Sequence, residues 1–507
     1  MTNVPVSPAT TWKRRSVTAA CVAACALACR DTSSPLPRPF PIAPPPLGPG
    51  LSVESLTPSR NATAAPRDGV LSITFHAPLD QSLPDALDVR VFGRWSGVAE
   101  VAVEFGEDGR SVRAVPARPF AAGERVTVTL VAGSYRSAAG DVGGGYAWSF
   151  RTASGPGSLA QNHVATLPVR RPDEPHIQTS GAYAGDLNGD GWSDLVLPNE
   201  QSVDLRIFLN DGAGGYGDFE VVPVPDGVDP RANEGADLDG DGDIDLVVGN
   251  AGGSLAAVFF GDGAGGLTHV QNLEVGQGVR GVCLIDFEND GDADLVATAF
   301  DDNHVAFFRN SGGTFTPAGR MDVGDGEWSC APGDVTDNGL MDVFIGTRRS
   351  NEIVTLGSRG DGRFVTLEAL LVGEVWMLAS GDLDGDGRID AAAVNGSASL
   401  LSIIHGGAQG TLGLVEQHPL DGRPLAIDAG DLEGDGDLEI VISDFDSGNF
   451  VIFANDGGRF RRHPVELAAR TAASCAILHD RDNDGDIDIT GIDEIDDLLF
   501  LFENHPG

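Results

Sequence analysis

The chain of 507 residues has room for several domains and a sizeable core. Its 75 Asp and Glu against 33 Lys and Arg leave a net charge of −42, which argues against nucleic acid or an anionic membrane surface as a general partner. Its 68 glycines and 30 prolines punctuate short apolar runs, the pattern of an all-β chain.

Residues 1–29 have the layout of an export signal. Lys13, Arg14 and Arg15 precede the apolar run SVTAACVAACALA, which is too short to cross a bilayer. Small residues stand before both Cys25 (VAAC) and Cys29 (ALAC). This context resembles a bacterial lipobox, whose Cys becomes an acylated N-terminus; ordinary signal cleavage is the alternative. Residues 30–50 are rich in Pro and read as an extended tether.

Residues 51–152 hold short alternating runs such as VLSITFHAPLD, GERVTVTLVAG and YAWSFRTA, the pattern of a β-sandwich. The segments Ile73 to Asp80, Pro116 to Gly123 and Trp-Ser-Phe-Arg-Thr (148–152) resemble the bacterial Ig-like family first seen in S-layer proteins. That resemblance implies a spacer or stalk without chemistry of its own. Residues 153–160, containing SGPGS, form a linker.

From 161 to 507 one acidic loop recurs seven times. Its first acid falls at Asp186, Asp237, Asp286, Asp334, Asp382, Asp431 and Asp480, in steps of 48 to 51 residues. A fixed period of this size means a stacked or circular repeat architecture. Each unit reads as four strands, so seven units predict a seven-bladed β-propeller. The seventh unit ends after its third strand, and residues 162–169 (NHVATLPV) precede the first loop without a blade of their own. They are expected to complete the last blade and remove an exposed edge.

Each loop places an acid at position 1, Asp, Asn or Glu at 3, Asp at 5, Gly at 6 and an acid at 9. Hard oxygen ligands at alternate positions, with a Gly for the sharp turn, suit Ca²⁺, the carbonyl of position 7 adding one more oxygen. The candidate ligands are Asp186, Asn188, Asp190 and Asp194; Asp237, Asp239, Asp241 and Asp245; and Asp286, Glu288, Asp290 and Asp294. They continue as Asp382, Asp384, Asp386 and Asp390; Asp431, Glu433, Asp435 and Glu439; and Asp480, Asp482, Asp484 and Asp488. Copy four departs: Thr336 and Asn338 leave only Asp334 and Asp342, so Ca²⁺ is expected to be weakest there. β-branched runs follow the loops at once, which excludes the flanking helix of an EF-hand. Pattern and period resemble the FG-GAP/VCBS repeats of integrin-α-like propellers. The resemblance implies up to seven structural Ca²⁺ ions, each between the first two strands of a blade and all on one face of the disc.

Six residues before each first acid the copies read Ser180, Arg231, Arg280, Trp328, Trp376, Leu425 and Ser474. This position should start the innermost strand, at the face opposite the loops. Arg231, Arg280, Trp328 and Trp376 would then stand side by side near the central channel, with Arg348 and Arg349 in a loop on the same face. Forked donors beside stacking surfaces suit an acidic sugar or a carboxylate ligand. The bland alternative packs the Trp rings between blades and pairs the Arg side chains with Glu234, Glu327 or Glu374. Cys283, Cys330 and Cys475 are scattered, form no disulfide framework and read as small core residues.

The sequence therefore predicts an exported, surface-tethered Ca²⁺-binding protein for adhesion or recognition of a glycan or protein ligand. It would touch a membrane only through a lipid anchor. Two rivals remain. One is a propeller-based polysaccharide-active enzyme, for which Asp428 and Glu234 are the nearest acid–base candidates although nothing pairs them by spacing. The other is a purely structural envelope component.

Overall fold

Two antiparallel sheets open the computed structural model, which describes residues 51–82, 86–465 and 467–505. The signal, the tether and the candidate lipidation sites Cys25 and Cys29 lie outside the described residues. The first sheet runs Val53–Thr57, Leu71–Phe75, Ser111–Pro116, Val101–Phe105 in spatial order; the second runs Gly97–Val98, Val89–Gly93, Arg125–Leu130, Tyr146–Arg151. Alternation sends one face of each strand inward, as in Leu71, Ile73 and Phe75, onto Trp148 and Phe150. The result is the expected sandwich.

Seven sheets follow, each antiparallel and each numbered here as a blade. Blade one consists of Tyr183–Gly185, Asp194–Asn199, Asp204–Asn210 and Tyr216–Pro223 from inside out. Blades two to five repeat this order from Pro230–Ala236, Val279–Ile285, Glu327–Gly333 and Val375–Gly381 as inner strands. In blade six the outer strand is broken into Arg461–Arg462 and Leu467–Ala468, both paired with Asn449–Ala454. Blade seven joins Ala473–His479, Asp488–Asp493 and Leu498–Glu503 to Asn162–Pro168, so the strand preceding the repeats completes the last blade. Inner strands touch in ring order and the first meets the last.

The second strand of each blade is buried on both faces, for example Asp194–Asn199 and Asp390–Asn395. That is why it reads as an unbroken apolar run. Each blade seals to the next through such residues. Leu195, Leu197 and Phe208 of blade one pack with Ile492, Leu499 and Leu501 of blade seven, closing the ring. Each fully buried Leu, Ile or Phe contributes roughly 1.5–3 kcal/mol.

The sandwich departs from the expected spacer. It is packed on the loop face of the propeller through main-chain hydrogen bonds. Asp186 N donates to Trp95 O (2.7 Å), Ala132 N to Asn289 O (2.8 Å), Ala147 N to Gly339 O (2.8 Å) and Gly155 N to Gly485 O (2.5 Å). Asn61 Nδ2 adds a bond to Gly387 O at 3.1 Å and Ser154 Oγ one to Asp431 O at 2.9 Å. The sandwich thus satisfies main-chain groups of the loops, while tip residues such as Asp241 and Asp386 stay exposed.

Candidate functional site

The acidic loops sit where the repeat predicts. The first acid follows the inner strand directly, and the ninth position opens the second strand in every blade. The ninth-position acids Asp194, Asp245, Asp294, Asp342, Asp390, Glu439 and Asp488 are fully buried. Each accepts two kinds of amide. One carboxylate oxygen takes the N–H of the residue sixteen positions on: Asn210, Gly261, Asn310, Ser358, Gly406, Asn455 or Asn504, at 2.7–3.3 Å. The other takes an N–H from within the loop, such as Leu187 (3.0 Å) or Leu238 (2.7 Å). These acids therefore tie the loop to the end of the third strand.

Sequence reading missed the residues at that third-strand end. Asn210, Asn310, Asn455 and Asn504 each send Nδ2 to a loop carbonyl of the preceding blade: Arg481, Leu238, Leu383 and Leu432, at 2.7–2.9 Å. Ser358 Oγ does the same to Phe287 O at 2.9 Å. The bond from Asn210 to Arg481 joins blade one to blade seven. The signal was present in the register, since all five residues stand 24 after the first acid of their copy.

Carboxylates that could hold a metal converge in three loops. Asp237, Asp239 and Asp245 bring one oxygen each to within 4.8 Å of one another, as do Asp382, Asp384 and Asp386, and Asp480, Asp482 and Asp484. In copy five His405, absent from the expected set, places Nδ1 3.3 Å from Asp384 and 3.4 Å from Asp390. In copy three Glu288 is turned onto Arg309, an ion pair the sequence did not suggest. Burial pushes Asp194, Asp245, Asp286 and Asp480 up to about 7, Asp488 and Glu439 to about 8, and Asp294 to about 10. The buried Asp480 faces the Gly485 amide, but neither of its oxygens accepts a hydrogen bond of good geometry. Such a group fits a site built for a divalent cation, which replaces the water lost on burial.

Copy four is different in surroundings as well as in composition. Arg60 of the sandwich pairs with Asp337 at 2.9 Å and hydrogen-bonds the Tyr146 hydroxyl. The Asp334 oxygens take the amides of Asn338 (3.1 Å) and Gly339 (2.9 Å), and Thr336 Oγ1 donates to Asp342 at 3.0 Å.

The channel bounded by the inner strands holds a cavity of about 260 Å³. Arg231, Arg280, Trp328 and Trp376 all line it, each the second residue of its inner strand. The expected stacking surface is altered by Arg348. Its guanidinium lies 4.2 Å from the Trp328 ring centre and 3.8 Å from that of Trp376, while Arg280 covers Trp328 at 4.5 Å. The Trp rings, 5.4 Å apart, are thus interleaved with cations and not left bare for a sugar. Arg231 pairs with Glu200 (2.7 Å) and Arg348 with Glu374 (2.5 Å). Glu374 is thus taken by Arg348, and neither Glu234 nor Glu327 pairs with an arginine of the arc. Arg280 forms no ion pair among the described residues; burial and the neighbouring Arg231 bring it down to about 10. Cys283, Cys330 and Cys475 are free thiols on the channel wall.

Glu234 and Asp428, the acid–base candidates, stand deeper in the channel. Glu234 is gripped by Arg94 of the sandwich at 3.1 and 3.3 Å. Asp428 accepts the amides of Ala429 (2.9 Å) and Leu478 (3.1 Å). Both serve the channel floor.

Residues 186–248, 237–297, 286–345 and 382–442 match the family model described as FG-GAP-like repeat, and residues 49–152 match that of a bacterial Ig-like domain. No curated protein matches the chain. Among solved structures, the chain is similar to Sqt1 of Saccharomyces cerevisiae at 9% identity, covering 68% of this chain and 99% of that one with a TM-score of 0.48. A protein from Lactobacillus plantarum is similar at 13% identity over 76% and 98%, TM-score 0.45. BBS1N, solved in complex with ARL6DN, is similar at 12% identity over 68% and 96%, TM-score 0.49.

Proposed function

We propose that this chain of FG-GAP-like repeats behind a bacterial Ig-like domain is an exported binding protein. Ca²⁺ clips its propeller, and an acidic glycan or a protein carboxylate is captured at the open mouth of its channel. The carrying observation is the division of the two faces. The Ig-like domain occupies the loop face, and the opposite mouth presents Arg280, which forms no ion pair among the described residues, beside the Trp328, Arg348 and Trp376 stack. Arg280 supplies planar forked donors that match a carboxylate, and the Trp328 ring holds it in place.

The role given to Ca²⁺ is structural, and the buried Asp480, whose oxygens lack hydrogen bonds of good geometry, supports it. Extracellular Ca²⁺ modules bind with a Kd on the order of 10⁻⁴–10⁻³ M, so the ion would be held outside the cell and lost inside it. Tethering through Cys25 or Cys29 belongs to the same reading; mass measurement of the mature N-terminus checks it, and an unacylated terminus beyond residue 29 rules the anchor out. No helix among the described residues is long and apolar enough to cross a membrane.

A glycan array with uronate-bearing and neutral members, run in Ca²⁺ with product analysis, tests the ligand. Retention of acidic members by the native chain and its loss in Arg280→Gln are expected. Equal retention by a folded Arg280→Gln chain removes the mouth as the site, and released product would move the protein to the enzyme class.

A further inference from the structure

Three arginines of the Ig-like domain reach the floor of the channel. Arg94 follows Val89–Gly93, Arg125 opens Arg125–Leu130 and Arg151 ends Tyr146–Arg151, three adjacent strands of one sheet. All three line the same cavity as the mouth residues. Arg94 is neutralised by Glu234. Arg125 and Arg151 stand directly opposite each other in the antiparallel register, and neither side chain makes a hydrogen bond or ion pair with a described residue. Like charges facing each other across a strand pair are destabilising. Desolvation lowers the pKa of Arg151 to about 10, and Arg125 shifts in the same direction, helped by Arg94. Of the opposing charges that act on them, Glu234 is already gripped by Arg94 and Asp428 spends its oxygens on two main-chain amides. Three arginines therefore share Glu234 and Asp428 on the channel floor, and Glu234 is committed to Arg94.

We infer that the channel floor is an oxyanion site, in which Arg125 and Arg151 together grip a carboxylate, sulfate or phosphate group that enters through the mouth. Two guanidiniums side by side offer parallel N–H pairs of the geometry such groups accept. The cavity of about 260 Å³ is just below the roughly 300–1,000 Å³ of ordinary ligand pockets, so it suits one small anion or the acidic end of a larger ligand. The floor is distinct from the mouth: its cations come from the Ig-like domain, and the site exists only while that domain is docked.

The test uses the full mature chain in Ca²⁺ with low-millimolar selenate as probe, at ionic strength matched by chloride. Selenate is expected to raise the melting temperature of the native chain and of Arg280→Gln. Arg125→Gln/Arg151→Gln is expected to lose that shift. An equal shift in the double variant, or no shift in the native chain, overturns the floor site. Should the double variant fail to fold, crystals of the native chain soaked in selenate decide. An anomalous selenium peak between Arg125 and Arg151 supports the site, and its absence there refutes it. A mouth that fails the Arg280→Gln test leaves this result untouched, so the two readings fall separately.

Discussion

Copies four and seven of the acidic loop began as the same sequence device and ended in different hands. In copy seven neither oxygen of the buried Asp480 takes a hydrogen bond of good geometry, and Asp482 and Asp484 converge on it. In copy four the lost carboxylates are Thr336 and Asn338, and the loop is held by Arg60 and by the main chain of the Ig-like domain. Where the Ig-like domain brings Arg60 onto the loop, two of the four carboxylates are missing. Copy seven meets that domain through the Gly155 amide on Gly485 O and has kept all four. The seven loops are thus alternatives for one task, closing the gap between the first two strands of a blade.

Chelation should separate the two kinds of loop most strongly. An ion bound only by the folded state at about 100 times its Kd adds about 2.7 kcal/mol per site. Removal of Ca²⁺ with EDTA should therefore lower the melting temperature by many degrees, and a melt indifferent to EDTA would break the comparison.

pH should sharpen it. The folded-state pKa of about 7 for Asp194, Asp245 and Asp480, and about 8 for Asp488, stands above the roughly 4 of an unfolded carboxyl. Between those values the folded chain keeps protons that the unfolded chain has released. Metal-free protein should accordingly lose stability as pH rises from about 4 to about 8. Ca²⁺ binds the ionised form, so the gap between melts with and without Ca²⁺ should widen over the same range. A gap independent of pH would contradict the cation reading of the buried acids.

Single substitutions act on a smaller scale. Asn504→Ala removes a buried donor to Leu432 and Ile487 and leaves two carbonyls unsatisfied, a cost of about 1–3 kcal/mol in a denaturant titration with or without Ca²⁺. Arg60→Ala should cost only about 0.2–1 kcal/mol, because its pair with Asp337 is partly exposed. A loss as large as that of Asn504→Ala would mean that copy four depends on Arg60 far more than its exposure suggests.

Much of this was legible in the sequence because it is periodic. The spacing of Asp186 to Asp480 gave the ring, and the truncated last unit gave the strand exchange with Asn162–Pro168. Periodicity also placed Arg231, Arg280, Trp328 and Trp376 on one channel wall. What escaped lacks a period. Docking of the Ig-like domain depends on main-chain groups of loop tips, such as Gly339 and Gly485, whose side chains announce nothing. Arg94, Arg125 and Arg151 look like ordinary strand-end charges until the sandwich is seated over the channel. Arg348 was placed on the right face, but its wedge between two indoles is a matter of rotamers that spacing does not encode. The Asn210, Asn310, Asn455 and Asn504 series is periodic too, but Gly261, Ser358 and Gly406 stand in its register in the other copies and make it read as a turn position.

The exchange of cation for domain at copy four is tested most directly by counting bound calcium at equilibrium in the native chain, Asp480→Ala and Asp334→Ala. Six ions per native chain are expected, five in Asp480→Ala and still six in Asp334→Ala. A seventh ion that disappears with Asp334→Ala would show copy four to be one more cation clip, and a native chain that binds none would end the cation reading of all seven loops.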